Sequence, residues 1–137
     1  MFKFNFFFIL FLLSGLSEIG AQNYIGMNKD EIIVDMNTLH KSFKLNTSAV
    51  NPYYKYLKFE DNINEITILF FLSENDKCTL VRKMCDYANI NDEIEDLNKK
   101  YKKLGKNKWN YSVKGKIYTV TLEESEWYFT ISTKQKN

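Results

Sequence analysis

The chain has 137 residues, 45% of them hydrophobic, and a formal net charge of +2. This length predicts one domain of ordinary size after any leader is removed. So weak a charge argues against nucleic acid or an anionic membrane surface as the main partner.

The first 21 residues have the pattern of a secretory signal peptide. Lys3 precedes an apolar run from Phe4 to Leu13, and small residues follow up to Ala21. A charged start, a short apolar core and a small-residue cleavage point are typical of such signals. The run is shorter than the roughly 20 residues that span a bilayer. We expect a signal peptide at 1–21 and a secreted or periplasmic domain at 22–137. An uncleaved N-terminal anchor is the alternative.

The first predicted helix begins at Asn28. Asn28 and Glu31 have the spacing of a capping box, which satisfies free backbone N–H groups at a helix start. Apolar residues then recur at helical spacing, at Ile32, Met36, Leu39 and Phe43. This pattern predicts a helix that runs to about Lys44, unless it breaks at the poor helix formers Asn37 and Thr38.

A second helix is predicted over 89–105, where apolar residues recur every three or four positions. Acidic residues fill its start and lysines its end, an order that favours the helix dipole. Gly105 is a suitable residue to end it. Alternation of apolar residues predicts six strands, at 53–59, 65–72, 78–87, 108–113, 116–123 and 126–133.

These elements predict an α+β fold in the order α-βββ-α-βββ. Short polar connections favour an antiparallel sheet of about six strands. Two amphipathic helices can cover one face of that sheet and leave the other open.

Cys78 and Cys85 are the only cysteines. On one strand, seven residues apart, they would lie about 23 Å from each other, too far for a disulfide. The odd spacing predicts that they point to opposite faces of the strand. We therefore expect no disulfide within the chain and no shared metal ion. Either both are buried apolar side chains, or one, Cys78 above all, forms a bond between two chains.

No catalytic or cofactor motif is recognisable. His40 is the only histidine, and no residue near it resembles a nucleophile. The sequence contains no dinucleotide-binding or phosphate-binding loop, so we expect no cofactor and no metal. The lysines between 99 and 108 are typical of a solvated helix face. Carboxylates are plentiful, and a pair of them in a cleft is the one catalytic arrangement that the sequence leaves open.

Aromatic residues in the predicted strands are the feature most suited to binding. Counting alternation outward from the core residues assigns four apolar side chains to the open face of the sheet: Leu69, Phe71, Ile117 and Tyr128. An exposed apolar and aromatic patch is typical of a contact surface for a protein or a glycan. Coverage of that face by the N-terminal segment or by a second subunit is the alternative.

The segment around Gly26, Met27 and Glu31 resembles the helix start of small outer-membrane-assembly lipoproteins and of the β-lactamase-inhibitor-like fold. The stretch ILFFLSENDKC is similar to exported proteins of Bacteroidetes-type bacteria. The chain lacks the lipid-bearing cysteine of the lipoproteins. The resemblance implies a non-catalytic interaction fold that presents a sheet face, with no catalytic residues.

We therefore expect a non-enzymatic, exported binding or inhibitor-like protein. Its partner would be another protein or a glycan, with no membrane contact after signal cleavage. The alternatives are a structural subunit of an envelope assembly and a small hydrolase with paired carboxylates.

Overall fold

Two helices lie on one face of an eight-stranded antiparallel sheet in the computed structural model, which describes residues 24–48 and 51–137. The predicted signal peptide lies outside the described residues. The first half of the chain forms α1 (Lys29–Leu39), β1 (Lys44–Leu45), β2 (Tyr56–Asp61), β3 (Ile66–Leu72) and β4 (Cys78–Asp86). The second half forms α2 (Ile90–Lys100), β5 (Lys102–Gly105), β6 (Lys108–Val113), β7 (Lys116–Glu124) and β8 (Tyr128–Gln135). A short 3-10 turn, Tyr87–Asn89, joins the halves.

The two halves have the same architecture, a helix followed by four antiparallel strands. The strand order across the sheet is β1-β2-β3-β4-β8-β7-β6-β5, so each half is a meander and the last strands of the two halves meet in the middle. Arg82 of β4 pairs with Ser132 of β8 near the centre of that seam. The registers relate the halves by an approximate two-fold axis, under which Phe59 of β2 corresponds to Trp109 of β6.

The predicted α+β class with two helices and one antiparallel sheet is confirmed, but the predicted six strands and the order α-βββ-α-βββ are wrong. The structure has eight strands, and both missed strands directly follow a helix. The first helix ends at Leu39 rather than near Lys44, and the second ends at Lys100 rather than Gly105. Apolar residues continue the helical spacing beyond each helix, although Phe43 lies in the loop after α1 and Leu104 lies in the edge strand β5.

Tyr101 shows most clearly why a helix ends earlier than predicted. Its backbone is extended (φ −124°, ψ 159°), which ends α2. Its ring then stacks on Tyr111 of β6, with the ring centroids 4.6 Å apart. Leu104, which completes the predicted apolar stripe, is 48% exposed on β5. Of the six clustered lysines, only Lys99 and Lys100 therefore lie on the helix.

The predicted start of α1 is confirmed. The Asn28 side chain accepts a hydrogen bond from the Asp30 N–H (3.0 Å), and the Glu31 carboxylate accepts one from the Asn28 N–H (3.3 Å). On α2, Glu95 pairs with Lys99 and Asp96 with Lys100, each at 2.9 Å. Such exposed pairs one helical turn apart contribute only about 0.3–0.5 kcal/mol each, so burial of the apolar faces dominates helix stability.

The core consists of two clusters, one beneath each helix. The first cluster includes Ile32 and Met36 of α1, packed against the sheet residues Phe59, Ile68 and Phe70. The second includes Ile90 and Leu97 of α2, packed against Trp109, Val120, Leu122, Phe129 and Ile131. Both clusters use the same face of the sheet, and no helix of residues 24–48 and 51–137 lies on the opposite face.

The prediction that the two cysteines point to opposite faces is wrong. Cys78 and Cys85 are both 2% exposed, the first in the cluster beneath α1 and the second in the cluster beneath α2. Phe71 pairs with Leu80 and Leu72 pairs with Cys78, so Thr79 is an extra residue in β4. Such a β-bulge changes the parity of a strand and brings Cys78 to the covered face. Both cysteines are free.

Neither thiol should react while the protein is folded. Burial raises the pKa of Cys78 to about 12 and that of Cys85 to about 11, and the thiolate is the reactive form. We expect no modification by Ellman's reagent under native conditions and two thiols per chain in denaturant. The sedimentation coefficient should also be the same with and without reductant. Rapid native modification of either thiol would contradict this burial.

Candidate functional site

The helix-free face of the sheet differs between the two halves. In the first half it carries Tyr56, Leu69, Phe71, Leu80 and Arg82, which are aromatic, aliphatic or cationic. In the second half the inner rows carry hydroxyl side chains, at Thr119, Thr121, Thr130 and Ser132. The similar architecture of the halves therefore does not extend to this face, and the apolar character is concentrated over β2, β3 and β4.

Tyr54, Tyr56, Phe71 and Arg82 form the centre of a shallow groove on the first half, hereafter the aromatic groove. The Phe71 ring meets the Tyr54 ring edge-on, with the centroids 6.3 Å apart, and lies 5.9 Å from the Tyr56 ring. The Arg82 guanidinium carbon lies 5.3 Å from the centroid of Phe71. Phe71 is thus in contact with two tyrosines and a cation at once.

The register of the strands explains how these residues meet. Tyr56 of β2 is directly opposite Phe71 of β3, and Arg82 of β4 is directly opposite Leu69. Directly opposite side chains on one sheet face lie about 4.5–5.5 Å apart at Cβ, close enough for contact. Tyr54 precedes β2, in a turn where the Asn51 side chain accepts hydrogen bonds from the backbone of Tyr53 and Tyr54.

Charged side chains at the rim of the aromatic groove are mostly paired. Lys55 forms an ion pair with Asp76, and its hydrogen bond is the largest cause that lowers the pKa of that carboxyl. Lys58 pairs with Glu60 at 3.0 Å and likewise lowers the pKa of Glu60. Within the described part of the chain, Arg82 and Glu74 of the groove form no ion pair, and Arg82 is the groove cation left available to a ligand.

The four residues predicted for the open face do not form one patch. Leu69 and Phe71 are half-buried neighbours in the aromatic groove. Ile117, 40% exposed, lies at the start of β7, where its carbonyl bonds to Lys136 near the C-terminal end of β8. Tyr128, 42% exposed, is the first residue of β8 and pairs with Asp86. Positions 128 and 136 are separated by about 26 Å along a strand, so only two of the four residues share a site.

Sequence reasoning missed the other members of the aromatic groove. Tyr54 and Tyr56 are among the aromatic residues of the predicted strands, and Arg82 is the only arginine in the chain, but no sequence pattern connects the three. The signal for Tyr56 is its alternation with the buried Leu57 and Phe59, which assigns it to the open face. No comparable local pattern could place Arg82 beside Phe71, because that contact depends on the register between β3 and β4.

A second concavity lies on the opposite face of the sheet, between α2 and the loop residue Phe43 that follows α1. Its floor includes Val81 and Ile131, and its rim carries Lys83, which pairs with Glu93 of α2 at 2.8 Å. The cleft encloses about 180 Å³. The aromatic groove, at about 700 Å³, is within the usual range of about 300–1,000 Å³ for ligand sites, and the cleft is below it.

The cleft also contains the carboxylates that a hydrolase would need. Glu93 and Asp96 stand three residues apart on α2 and both line the cleft. Each is held by a lysine, Glu93 by Lys83 at 2.8 Å and Asp96 by Lys100 at 2.9 Å. A catalytic pair needs one carboxyl free to exchange a proton with substrate, so these ion pairs do not favour the hydrolase alternative.

Residues 24–48 and 51–137 contain no cluster of three or more histidine, cysteine or acidic side chains that could hold a metal ion.

His40 ends α1, and burial lowers its pKa, with the nearby Asp35 opposing that shift. Among the same described residues, no helix is both long and apolar enough to cross a membrane.

No family model, curated protein or solved structure matches this chain. The resemblance to outer-membrane-assembly lipoproteins and to the β-lactamase-inhibitor-like fold therefore stays a prediction. Support for a function comes from the geometry of the two sheet faces.

Proposed function

We propose that this protein is an exported, non-enzymatic binding protein that docks another protein in its aromatic groove. The observation that carries the proposal is the contact of Phe71 with two tyrosines and with Arg82, on the sheet face that neither α1 nor α2 covers. If the partner is an enzyme whose active site the groove covers, the same contact would make this chain an inhibitor.

The residue types support a protein partner. Tyrosine and arginine are enriched among the few interface residues that contribute most binding energy, and they act best in the middle of a well-packed patch. Tyr56, Phe71 and Arg82 lie on three adjacent strands, whose backbone hydrogen bonds fix their spacing before the partner arrives. Such preorganisation lowers the entropy cost of binding.

Ring geometry favours side chains over sugars as the ligand. The Tyr54 and Phe71 ring planes are at 90°, and those of Tyr56 and Phe71 at 50°. The groove thus offers recesses between inclined rings rather than one flat platform. Arg82 adds a cation that can bind a carboxylate of the partner through two parallel hydrogen bonds.

Site-specific photo-crosslinking tests the proposal. A photoreactive amino acid at position 54, in cells that produce and export the protein, should give an adduct with a discrete protein. The same amino acid at position 121, on the polar half of the same sheet face, is the matched control and should not give that adduct.

The adduct should disappear when Arg82→Glu is added and persist with Lys116→Glu, an exposed charge reversal on β7. Circular dichroism of both purified variants should match the parent, which separates lost binding from lost folding. No protein adduct at position 54, or equal adducts at 54 and 121, would rule out the groove as a protein-docking site. A glycan adduct would replace the proposed partner with a sugar.

A further inference from the structure

A second exposed apolar surface lies at one end of the sheet, remote from the aromatic groove. The β2–β3 and β7–β8 connections project from the same end, with β4 between them in the strand order. Three strand spacings separate the two turns, which is about 14 Å. They carry Ile63 and Trp127, which are 87% and 76% exposed, and Tyr87 and Tyr128 lie beside them at 42% each. We call Ile63, Tyr87, Trp127 and Tyr128 the tip surface.

Hydrogen bonds hold both turns in place. The buried Asp61 carboxylate accepts bonds from the N–H groups of Ile63 (3.0 Å) and Asn64 (3.1 Å), which fixes the turn that presents Ile63. The backbone N–H of Ser125 donates to the Tyr128 carbonyl at 2.8 Å, and the backbone N–H of Tyr87 donates to the Trp127 carbonyl at 3.2 Å. The exposed side chains are therefore presented by a backbone of defined shape.

The tip surface is surrounded by carboxylates. These are Glu65, Asp86, Glu123, Glu124 and Glu126, and within the described residues none of them forms an ion pair with a lysine or arginine. By contrast, Glu60 of the sheet forms an ion pair with Lys58, and Glu93 of α2 forms one with Lys83. The five carboxylates thus form no ion pair within the described chain, and Lys106 of the β5–β6 connection and Lys108 at the start of β6 lie at the same end of the sheet, beyond β7.

We propose that the tip surface docks a lysine- and arginine-rich segment of a second protein. A cation placed over an aromatic ring is attracted most strongly by tryptophan, and Trp127 presents its ring to solvent. Aliphatic parts of the same segment can cover Ile63. The surrounding carboxylates steer a basic partner toward the surface and disfavour an acidic one.

This surface is independent of the aromatic groove. Tyr54 and Trp127 lie at opposite ends of the strands, because β2 runs from Tyr56 toward the turn that carries Ile63. The unpaired charges also differ, since the groove has Arg82 together with Glu74, whereas the five residues that surround the tips are all carboxylates. A variant of one surface should therefore leave the other intact.

The test measures fluorescence anisotropy of a labelled synthetic peptide in which lysine and arginine alternate with leucine. The comparison peptide has glutamate in place of every lysine and arginine. The basic peptide should bind, more weakly as salt rises, and the acidic peptide should not. Trp127 emission should shift to shorter wavelength on binding, because the other tryptophan, Trp109, is fully buried.

Trp127→Ala should weaken binding about tenfold, since a desolvated cation–π contact is worth about 1–2 kcal/mol. Trp127→Phe should retain part of the affinity, and Glu123→Gln with Glu124→Gln and Glu126→Gln should reduce both the affinity and its salt dependence. Tyr54→Ala is the matched control and should bind the peptide as the parent does.

Equal binding of the acidic peptide, or unchanged binding by Trp127→Ala, would overturn the proposal. Sedimentation of the protein alone distinguishes a second copy as the occupant. A self-association that Trp127→Ala abolishes would replace the basic partner with this chain itself.

Discussion

Replacement of Trp109 by alanine should lower the free energy of unfolding by about 3–5 kcal/mol, the usual cost of deleting a large buried aromatic side chain. Trp109 is 0% exposed, at the centre of the cluster beneath α2, and its ring N–H donates to Asn98 of that helix at 2.8 Å. The substitution removes packing between α2 and the sheet and leaves the Asn98 side chain without its donor. Urea denaturation followed by far-UV circular dichroism measures the loss.

Two matched variants separate the contributions. Trp109→Phe keeps much of the buried area and should lose less than the alanine variant. Asn98→Ala removes only the hydrogen bond, which contributes about 0.5–1.5 kcal/mol net. If Trp109→Ala and Asn98→Ala lost the same amount, packing of the ring would not be the dominant interaction.

Replacement of Asp61 by alanine should cost about 2–4 kcal/mol, because several donors to a buried carboxylate lose their acceptor together. Besides the Ile63 and Asn64 N–H groups, the Asn64 side chain donates to Asp61 at 2.8 Å. Asp61→Asn retains one acceptor oxygen and should lose less. Both losses can be read from urea denaturation at neutral pH.

The Asp61 contribution should also depend on pH in a defined direction. Hydrogen bonds, from Asn64 above all, lower the pKa of this carboxyl from its ordinary value of 3.8. A carboxyl with a lowered pKa in the folded state stabilises it fully above the unfolded value and loses that effect as the pH falls through the folded value. The stability difference between the parent and Asp61→Ala should therefore be constant near neutral pH and shrink below about pH 3.8. A difference that grew on acidification would mean that Asp61 is protonated in the folded protein.

Local chemistry was enough to predict the helix starts and most of the strands. The capping box at Asn28 and Glu31 depends on residues three apart, and it forms as expected. The strand at 108–113 has the predicted bounds. The failures at β1 and β5 have a different origin, because those short edge strands form by pairing with β2 and β6 rather than by their own pattern. Tertiary pairing, which one segment does not encode, decided where each helix ended.

The candidate site was predictable only in part, for the same reason. Alternation within β3 assigned Leu69 and Phe71 to one face, and the structure places them together in the aromatic groove. Ile117 and Tyr128 do not join them, because the strand order, which alternation does not reveal, puts β4 and β8 between Phe71 and Ile117 and puts Tyr128 at the opposite end of the strands. The bulge at Thr79 gave a further error, since one extra residue reversed the side on which Cys78 lies. Faces within a strand could be inferred, whereas neighbours across strands could not.

The central pairing of β4 with β8 has a consequence for how the chain folds. Each half consists of strands that are neighbours both in sequence and in the sheet, so its contacts form between residues close in sequence. The β4–β8 pair instead joins residues about fifty positions apart, as with Arg82 and Ser132. Closing so long a loop costs more entropy, and non-local pairings slow folding. Because each half has its own helix and its own core cluster, we expect the half-sheets to form first and the seam between them to set the pace at which the complete sheet forms.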